Sequence, residues 1–379
     1  MNSKPKIVDL FCGCGGFGLG AELAGFHTVA AVDVDETLQS AYRLNFPETN
    51  VLTNDLAQTD RKFWSEQLNG LQVDGVIGGP PCQGYSRMGN SDADDPRRTL
   101  LSHFFRNVNI IKPKFFIMEN VEGLLDDKNK YELDAALEIV DPDYRVLEPV
   151  VVNALDYGAP TSRKRVIVVG YIPEFVTDIE ERDLVPTAPL RTNVGQALSD
   201  INEPIPQTKD KTDFGWTTYR TNSDLSDYAN LMRGEPPCGL GSPEMKEKFC
   251  KGLVSGNFDT KHTVAVRNRY AALEQGQIDK ISKAKKLELN GYCPTLRAGT
   301  GSDKGSHQAV RPIHPNSGRV ITVREAARLQ GFPDWFGFHY TKWHSFRMIG
   351  NSVSPLVSQS ILSLLKSRMI SAQYIAQAV

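Results

Sequence analysis

The stretch "VDLFCGCGGFGLG" (8–20) runs from apolar, β-branched residues into a glycine-rich turn and then into a sequence able to start a helix. By itself a GxGxxG-like turn is weak evidence of a nucleotide site, because any tight turn uses glycine. Its neighbours decide the reading. The opening run "KIVDLF" (6–11) is echoed by "HTVAAVD" (27–33), "VDGVIGG" (73–79), "KFFIMEN" (114–120) and "RVIVVG" (165–170), with helix-like segments near 17–25, 35–45, 98–111 and 131–140. Strands alternating with helices of this length predict an α/β fold built on a doubly wound, mostly parallel sheet. Such sheets bind ligands beyond the carboxyl ends of their strands. The chemically distinctive residues fall at those ends: Gly13, Gly15 and Gly16 after the first run, Asp33 closing the next, "GGPPC" (78–82), and then Glu119 with Asn120.

The 379 residues are 40% hydrophobic and 23% charged, a globular balance with room for two domains. No apolar run reaches the ~20 residues of a membrane span, and "MNSKPKIVDLF" lacks a signal-peptide pattern. A cytoplasmic protein without membrane partners is expected. Six cysteines (12, 14, 82, 238, 250 and 293) form no CxxC pair, and none stands at zinc-site spacing, so no metal is expected. The formal net charge is −2, yet residues 261–350 hold 15 Lys/Arg against 6 Asp/Glu, which leaves −11 on the remainder. That asymmetry implies a polyanion-facing lobe on an acidic body.

From about 172 to 290 the periodicity dissolves into polar, Pro- and Gly-containing sequence such as "INEPIPQTKDKTDFGW". A structureless loop of that length does not suit a compact domain, so a separate, irregular lobe is expected. Periodicity returns in "TVREAARLQGF" (322–332), where Thr322 is placed to cap a helix. It returns again after "GNSVSP" (350–355), with Val353, Leu356, Val357, Ile361, Leu364 and Leu365 at helical spacing. The expected division is 1–195 for a catalytic and cofactor-binding domain, 196–339 for a smaller recognition domain, and 340–379 for a segment returning to the first.

In "GGPPCQGYS" (78–86), Pro80 and Pro81 fix φ twice and give up two donors, while Gly78 and Gly79 permit close approach by another group. Backbone freedom is being spent to aim Cys82, although a lone cysteine is ordinarily a packing residue. No Gly-Lys-Ser/Thr follows the first glycine turn, which argues against a triphosphate and for a nucleoside such as S-adenosylmethionine, with Asp33 near its ribose. "TSRKRVIVVG" (161–170) puts Arg163 and Arg165 at a strand start, where residues i and i+2 share a face and can bridge a carboxylate and a base or phosphate. The plain alternatives are surface charges for the arginines and a turn cap for Glu119.

The order glycine turn, Pro-Pro-Cys, Glu-Asn-Val, Arg-x-Arg, "REAARLQGFP" and "GNSV" closely resembles the DNA (cytosine-5)-methyltransferases, over roughly 7–195 and 293–365. The resemblance implies that Cys82 attacks C6 of a flipped-out cytosine and that Glu119 engages N3 and the exocyclic amine. It implies that Arg165, supported by Arg163, holds the base oxygen. For S-adenosylmethionine it implies Phe11 against the adenine, the 13–16 turn beside the methionine part, and Asp33 and Asp55 on the ribose and adenine edge. Pro80, Asn351, Ser352 and Val353 would complete that pocket. On the DNA side it points to Thr295 and Leu296, with Arg220, Arg233, Arg267 and Arg269 of the unmatched lobe available to read bases or hold phosphates. Two departures stand out: Thr161 occupies a position where the family often has Gln, and Cys14 is unusual in the glycine turn. The implied partners are double-stranded DNA and a restriction endonuclease acting on the same site, with the chain itself a compact prokaryotic-type monomer located at the nucleoid through DNA. A tRNA cytosine-5-methyltransferase of the same superfamily remains an alternative, although that branch tends to carry Cys-Phe-Thr where this chain reads "CPTLRAG" (293–299). A catalytically silent DNA-binding module is another.

Overall fold

The computed structural model describes residues 4–81, 99–221, 224–298 and 311–370. Cys82 lies outside them. Strands β1 (Lys6–Leu10), β2 (His27–Asp33), β3 (Asn50–Thr53), β4 (Gly75–Gly78), β5 (Phe115–Val121), β6 (Arg145–Val146), β7 (Val150–Asn153) and β9 (Lys164–Tyr171) form one eight-stranded sheet, while β8 (Thr161–Ser162) stands apart. The order is β3-β2-β1-β4-β5-β9-β6, with β7 also paired to β9. The first five strands are parallel, and β9 runs antiparallel to β5. Sequence periodicity located β9 but not its direction. The reversal follows from its connection, since β9 is entered after the short strands β6 and β7 and not through a crossover helix.

Helices α1 (Gly16–Leu23), α2 (Glu36–Asn45), α3 (Arg61–Leu68), α4 (Leu100–Ile111) and α5 (Asp127–Leu137) cover the sheet. Asp35 starts α2 by accepting from the amides of Thr37 and Leu38, and Asp60 starts α3 through Phe63 N. Alternation along β5 fills both faces. Phe115 and Ile117 join one core, with α1, while Phe116 and Met118 join the other, with Phe104 and Phe105 of α4.

The remaining chain is built of short pieces: α6 (Val194–Leu198), α7 (Asp227–Met232), α8 (Pro243–Cys250), α9 (Val264–Ala272), α10 (Val323–Gln330), α11 (Lys342–Asn351) and α12 (Pro355–Arg368), with β10 (Thr217–Thr218) on β11 (Leu253–Val254) and β12 (Cys293–Pro294) on β8. Thr322 does cap α10, in a reciprocal box with Glu325. Within 261–320 the apolar core is small, comprising Tyr270, Ala284, Ile313 and Val320. Lys286 compensates by donating to the carbonyls of Tyr270, Ala271 and Leu273, which closes the end of α9. Elsewhere the second half shares its core with the first: Ala327, Phe332, Phe336, Phe346 and Ile349 pack with Tyr42 of α2 and with Phe46 just after it.

Buried charge locks this arrangement. Arg328, fully buried, donates to both oxygens of Asp200 at 2.7 and 3.0 Å and of Asp334 at 2.8 and 2.6 Å. Arg324, equally buried, reaches Ser255 and the carbonyls of Pro333 and Phe336. Finally, α12 returns to the sheet, where Val357, Ile361 and Leu365 pack with Phe17 and Ala21 of α1.

Candidate active site

At the carboxyl end of β1 the chain passes through Phe11 at φ +55°, Gly13 at +51° and Gly15 at +95° before entering α1. Three glycines were expected to face a ligand, but they have different duties. Among the described residues a Cβ on Gly13 would meet nothing within 4 Å, so this residue fronts open space there. A Cβ on Gly15 would lie 2.6 Å from the Phe46 ring, and one on Gly16 would lie 1.8 Å from Ser352 Oγ and 2.5 Å from Val353 O. Gly15 therefore admits α2, and Gly16 admits the returning "GNSV" segment. The turn is braced by Asp33, which accepts from Gly13 N at 2.9 Å and Asp35 N at 2.8 Å. Burial raises the Asp33 carboxyl above its ordinary range. Asp55, just beyond β3, accepts from Ala57 N at 2.9 Å. Phe11, Gly13, Asp33 and Asp55 thus stand at the ends of adjacent strands, with room in front of Gly13, as an adenosyl group with a flexible polar tail requires.

Beneath the turn sits a carboxylate that motif reading passed over. Asp9 is buried in β1, accepts from Tyr42 Oη at 3.2 Å, and leaves Oδ1 without a hydrogen bond. Burial pushes its carboxyl up to about 8. Its apolar neighbours in the sequence gave no sign of it, although an aspartate inside a buried parallel strand is itself an anomaly. Cys14 is buried against Met348 O at 3.6 Å, and burial pushes its thiol up to about 12, as it does that of Cys293. Such thiols are inert packing groups.

The second half of the site lies where β5 and β9 meet. Arg165 Nε stands 2.7 Å from Glu119 Oε1, with both side chains largely buried. A Cβ on Gly79 would come within 3.2 Å of Glu119 Oε2, and Asn120 donates to Pro80 O at 3.3 Å. The glycine and proline before Cys82 are thereby fitted to the Glu-Asn pair of β5. Arg163 lines the same recess as Glu119, Arg165 and Val353, but its guanidinium serves the backbone. It donates to Leu296 O at 3.2 Å, Gly350 O at 3.0 Å and Ser352 O at 2.9 Å. One arginine faces the carboxylate; the other holds the surrounding segments together.

The segment around β12 meets this clamp. Thr161, where the family pattern has Gln, is buried and donates to Cys293 O at 3.2 Å, and Thr295 donates to Ser162 O at 2.7 Å. Leu296 was expected to face DNA; its side chain is instead buried in the core shared with Phe346 and Ile349. An apolar residue whose carbonyl is clamped by Arg163 is drawn inward. Ser352 and Val353 are also buried, with Asn351 exposed beside them. The four arginines of the second half each have a carboxylate nearby: Arg220 with Glu203 at 2.5 Å, Arg233 with Asp200 at 3.7 Å, Arg267 with Asp259 at 2.5 Å and Arg269 with Asp279 at 2.8 Å. Arg233 also stacks on Tyr219 at 3.7 Å.

The pattern of the C-5 cytosine-specific DNA methylases matches residues 5–367. The chain belongs to that family. The methylase is 40% identical over 377 residues to the type II methyltransferase M.XorII of Xanthomonas oryzae pv. oryzae, covering 95% of this chain and 84% of that protein. It is 31% identical over 396 residues to the type II methyltransferase M.DdeI of Desulfomicrobium norvegicum, covering 94% and 87%. A crystal structure of a candidate DNA modification methyltransferase encoded within an E. coli prophage superposes with a TM-score of 0.86 at 38% identity, covering 96% of this chain and 99% of that one. The Dnmt2 methyltransferase of S. pombe, at 16% identity and a TM-score of 0.62, shares the fold. The methylase transfers a methyl group from S-adenosylmethionine to C5 of cytosine in DNA. The DNA reading made from the motifs thus holds over the tRNA alternative.

Proposed function

We propose that the methylase acts on a cytosine rotated out of a short specific duplex sequence, with Cys82 adding to C6, Glu119 at N3 and the exocyclic amine, and Arg165 at the base oxygen. The observation that carries this reading is the buried Glu119–Arg165 pair at 2.7 Å, set against Gly79 three residues before Cys82. Cytosine C5 is a poor nucleophile inside an intact aromatic ring. Addition of the Cys82 thiolate to C6 turns the ring into an enamine, so that one hard step becomes two easier ones. A proton or hydrogen bond from Glu119 at N3 offsets the electron density arriving on the ring, and Arg165 holds that carboxyl in place. S-adenosylmethionine, when bound, supplies an electrophilic methyl on sulfur. Loss of the C5 proton then lets Cys82 leave. The target atom is out of reach within a stacked duplex, which is why the base must turn out.

Phe11, Gly13, Asp33, Asp55, Pro80 and residues 351–353 form the cofactor side in this reading, supported by their common position at the carboxyl ends of β1 to β4 and on the "GNSV" return. Residues 1–195 and 340–379 form the catalytic unit, and 196–339 the recognition unit. The enzyme is of the type II modification kind, in keeping with the names of its relatives, and we assign it a cognate endonuclease with which it shares a site but forms no complex. It works as a monomer on DNA in the cytoplasm. No helix among the described residues is long and apolar enough to cross a membrane.

The test uses duplex DNA and S-adenosylmethionine carrying a labelled methyl. Wild type forms 5-methylcytosine, and Cys82→Ser forms none while still binding the cofactor. Duplex DNA with 5-fluorocytosine at the target traps wild type in a complex that survives denaturation, because the C5 substituent cannot leave as a proton. Turnover by Cys82→Ser near the wild-type rate would refute the mechanism.

A further inference from the structure

A cluster of unbalanced positive charge lies away from the catalytic recess, where the N-terminal end of α11 meets the loop 255–262 and the chain entering at Arg311. Lys342 donates to Asp259 O at 2.5 Å and lies 3.5 Å from Thr260 Oγ1. Arg311 stacks on Phe346 of α11 at 3.9 Å and has no hydrogen bond or ion pair among the described residues. Arg267 takes the carboxylate of Asp259 at 2.5 Å. His262 sits among all four of these groups, is pushed below its ordinary range by burial, and accepts from Val320 N at 3.4 Å. Three cations therefore share one carboxylate, Asp259, whose Oδ2 is taken by Arg267 and whose Oδ1 has no hydrogen bond among the described residues.

Folding does not favour such a cluster, since partly buried like charges repel and desolvation penalises each of them. The cost shows on Lys342 and Arg311. Burial, with Arg311 beside it, pushes Lys342 down to about 8, and burial pushes Arg311 down to about 10. Elsewhere the protein handles buried cations differently: Arg328 has two carboxylates, Lys286 three carbonyls and Arg163 three carbonyls. Among the described residues Arg311 has no such acceptor, and Lys342 has one carbonyl and one hydroxyl.

From Lys342 the helix α11 runs about 12 Å at ~1.5 Å per residue to Gly350, whose carbonyl is held by Arg163. Gly350 packs so closely on Ala298 that a Cβ there would lie 2.4 Å from Ala298 N. The cluster is thus joined by one rigid element to the catalytic clamp, at a separation of a few nucleotides along a strand.

We propose that Arg311 and Lys342 form a binding site for a backbone phosphate of the substrate duplex, flanking the target cytosine. The phosphodiester supplies the anion that the cluster lacks, independently of base sequence. The proposal rests on the enzyme being a DNA methylase.

The experiment compares wild type, Arg311→Gln, Arg311→Lys and Lys342→Gln for binding to duplex DNA with and without methylatable sites, across a salt series. Each Gln variant is expected to reduce the slope of log affinity against log salt by about 1, equally on both duplexes, with Arg311→Lys keeping the wild-type slope. The thermal midpoint of free Arg311→Gln is expected to equal or exceed that of wild type, because a repelling charge has gone. An unchanged slope, a loss confined to one sequence, or a lowered midpoint for Arg311→Gln would overturn the proposal. Methylation by wild type is measured in parallel: if it fails, the DNA-methylase reading falls, whereas an active wild type with unchanged Gln-variant slopes overturns the phosphate site alone.

Discussion

Arg165 Nε lies 2.7 Å from Glu119 Oε1 as an ion pair, while Arg163, two residues earlier, donates to three backbone carbonyls. Both arginines flank one recess, so their shared face matters less than what each guanidinium finds there. Arg165 meets the single carboxylate at the end of β5. Arg163 meets the chain ends of two separate segments, 293–297 and 350–352, and joins them to β9.

This division predicts opposite outcomes for two variants. Arg163→Ala leaves the Leu296 and Gly350 carbonyls without this donor and Ser352 O with Gln330 alone, and with hydrogen bonds to charged groups worth about 1.5–3 kcal/mol each it lowers the unfolding midpoint markedly. Glu119→Gln, which removes the charge and keeps the shape of that side chain, holds the fold and slows methyl transfer by ~10²–10⁴, the usual contribution of a positioned acid–base group. Thermal unfolding and single-turnover rates separate the two effects. A stable, inactive Arg163→Ala protein would show that Arg163 acts on substrate and not on structure.

The sheet was legible because its strands carry continuous apolar runs and its ligand-facing residues sit where parallel strands end. The observed β2 (His27–Asp33) coincides with its sequence reading, whereas β3 (Asn50–Thr53), half exposed at the sheet edge, left no apolar signal. Glu119 and Arg165 could be paired from the motifs alone. Arg163 could not be assigned its clamp, because its partners are carbonyls 133 to 189 residues away and a carbonyl has no sequence identity. The same holds for Arg311 and Lys342, which have no carboxylate of their own among the described residues.

Asp9 makes stability depend on pH. Its carboxyl stands at about 8 in the folded chain against an ordinary 3.8, so the folded state holds this proton more tightly than the unfolded state does. The resulting stabilisation is fully present below pH ~4 and is lost as pH rises through about 8. Asp9→Asn removes the titration while keeping an acceptor for Tyr42. The unfolding midpoint of wild type should therefore fall relative to that of Asp9→Asn between pH 5 and pH 8. Parallel pH profiles for the two proteins would show that Asp9 titrates normally.

Two glycines three residues apart should fail in different ways. Alanine at Gly16 would collide with Ser352 Oγ and with the backbone oxygen of Val353, so the "GNSV" segment must move, at an overpacking cost of about 1–3 kcal/mol. Removing the hydroxyl in Gly16→Ala/Ser352→Ala should not rescue it, since Val353 O remains. Alanine at Gly13 meets none of the described residues and bears the strain of φ +51°, ~1–2 kcal/mol, while placing a methyl in the open space before the turn. Calorimetric unfolding should rank Gly16→Ala as the less stable protein, and titration with S-adenosylmethionine should show weakened binding by Gly13→Ala. Full cofactor affinity in Gly13→Ala would mean that the open space is not the cofactor's.

The four arginines nominated as DNA contacts differ in how firmly the free protein holds them. Arg220 pairs with Glu203, which is 65% exposed, and such a surface pair is worth about 0–1 kcal/mol, so the guanidinium can turn to DNA at little cost. Arg267 pairs with a more enclosed partner, Asp259, within the cation cluster. Arg233 is stacked on Tyr219 and drawn toward fully buried Asp200, and Arg269 is bound to buried Asp279. Releasing Arg269 would strand the buried Asp279 carboxylate, a loss of the kind that costs several kcal/mol, whereas Asp200 keeps Arg328 and releasing Arg233 forfeits its stack on Tyr219. Arg220→Ala should accordingly leave the unfolding midpoint within experimental error and alter DNA recognition. If it reads a base edge, one position of the methylated site relaxes at a cost of ~1–3 kcal/mol; if it holds a phosphate, all sequences weaken alike. Arg233→Ala and Arg269→Ala should lower the midpoint and leave the methylated sequence unchanged. Sequencing the 5-methylcytosines made by each variant, beside its thermal unfolding, decides the matter: a relaxed site in Arg233→Ala or Arg269→Ala, with Arg220→Ala indistinguishable from wild type, would reverse the assignment.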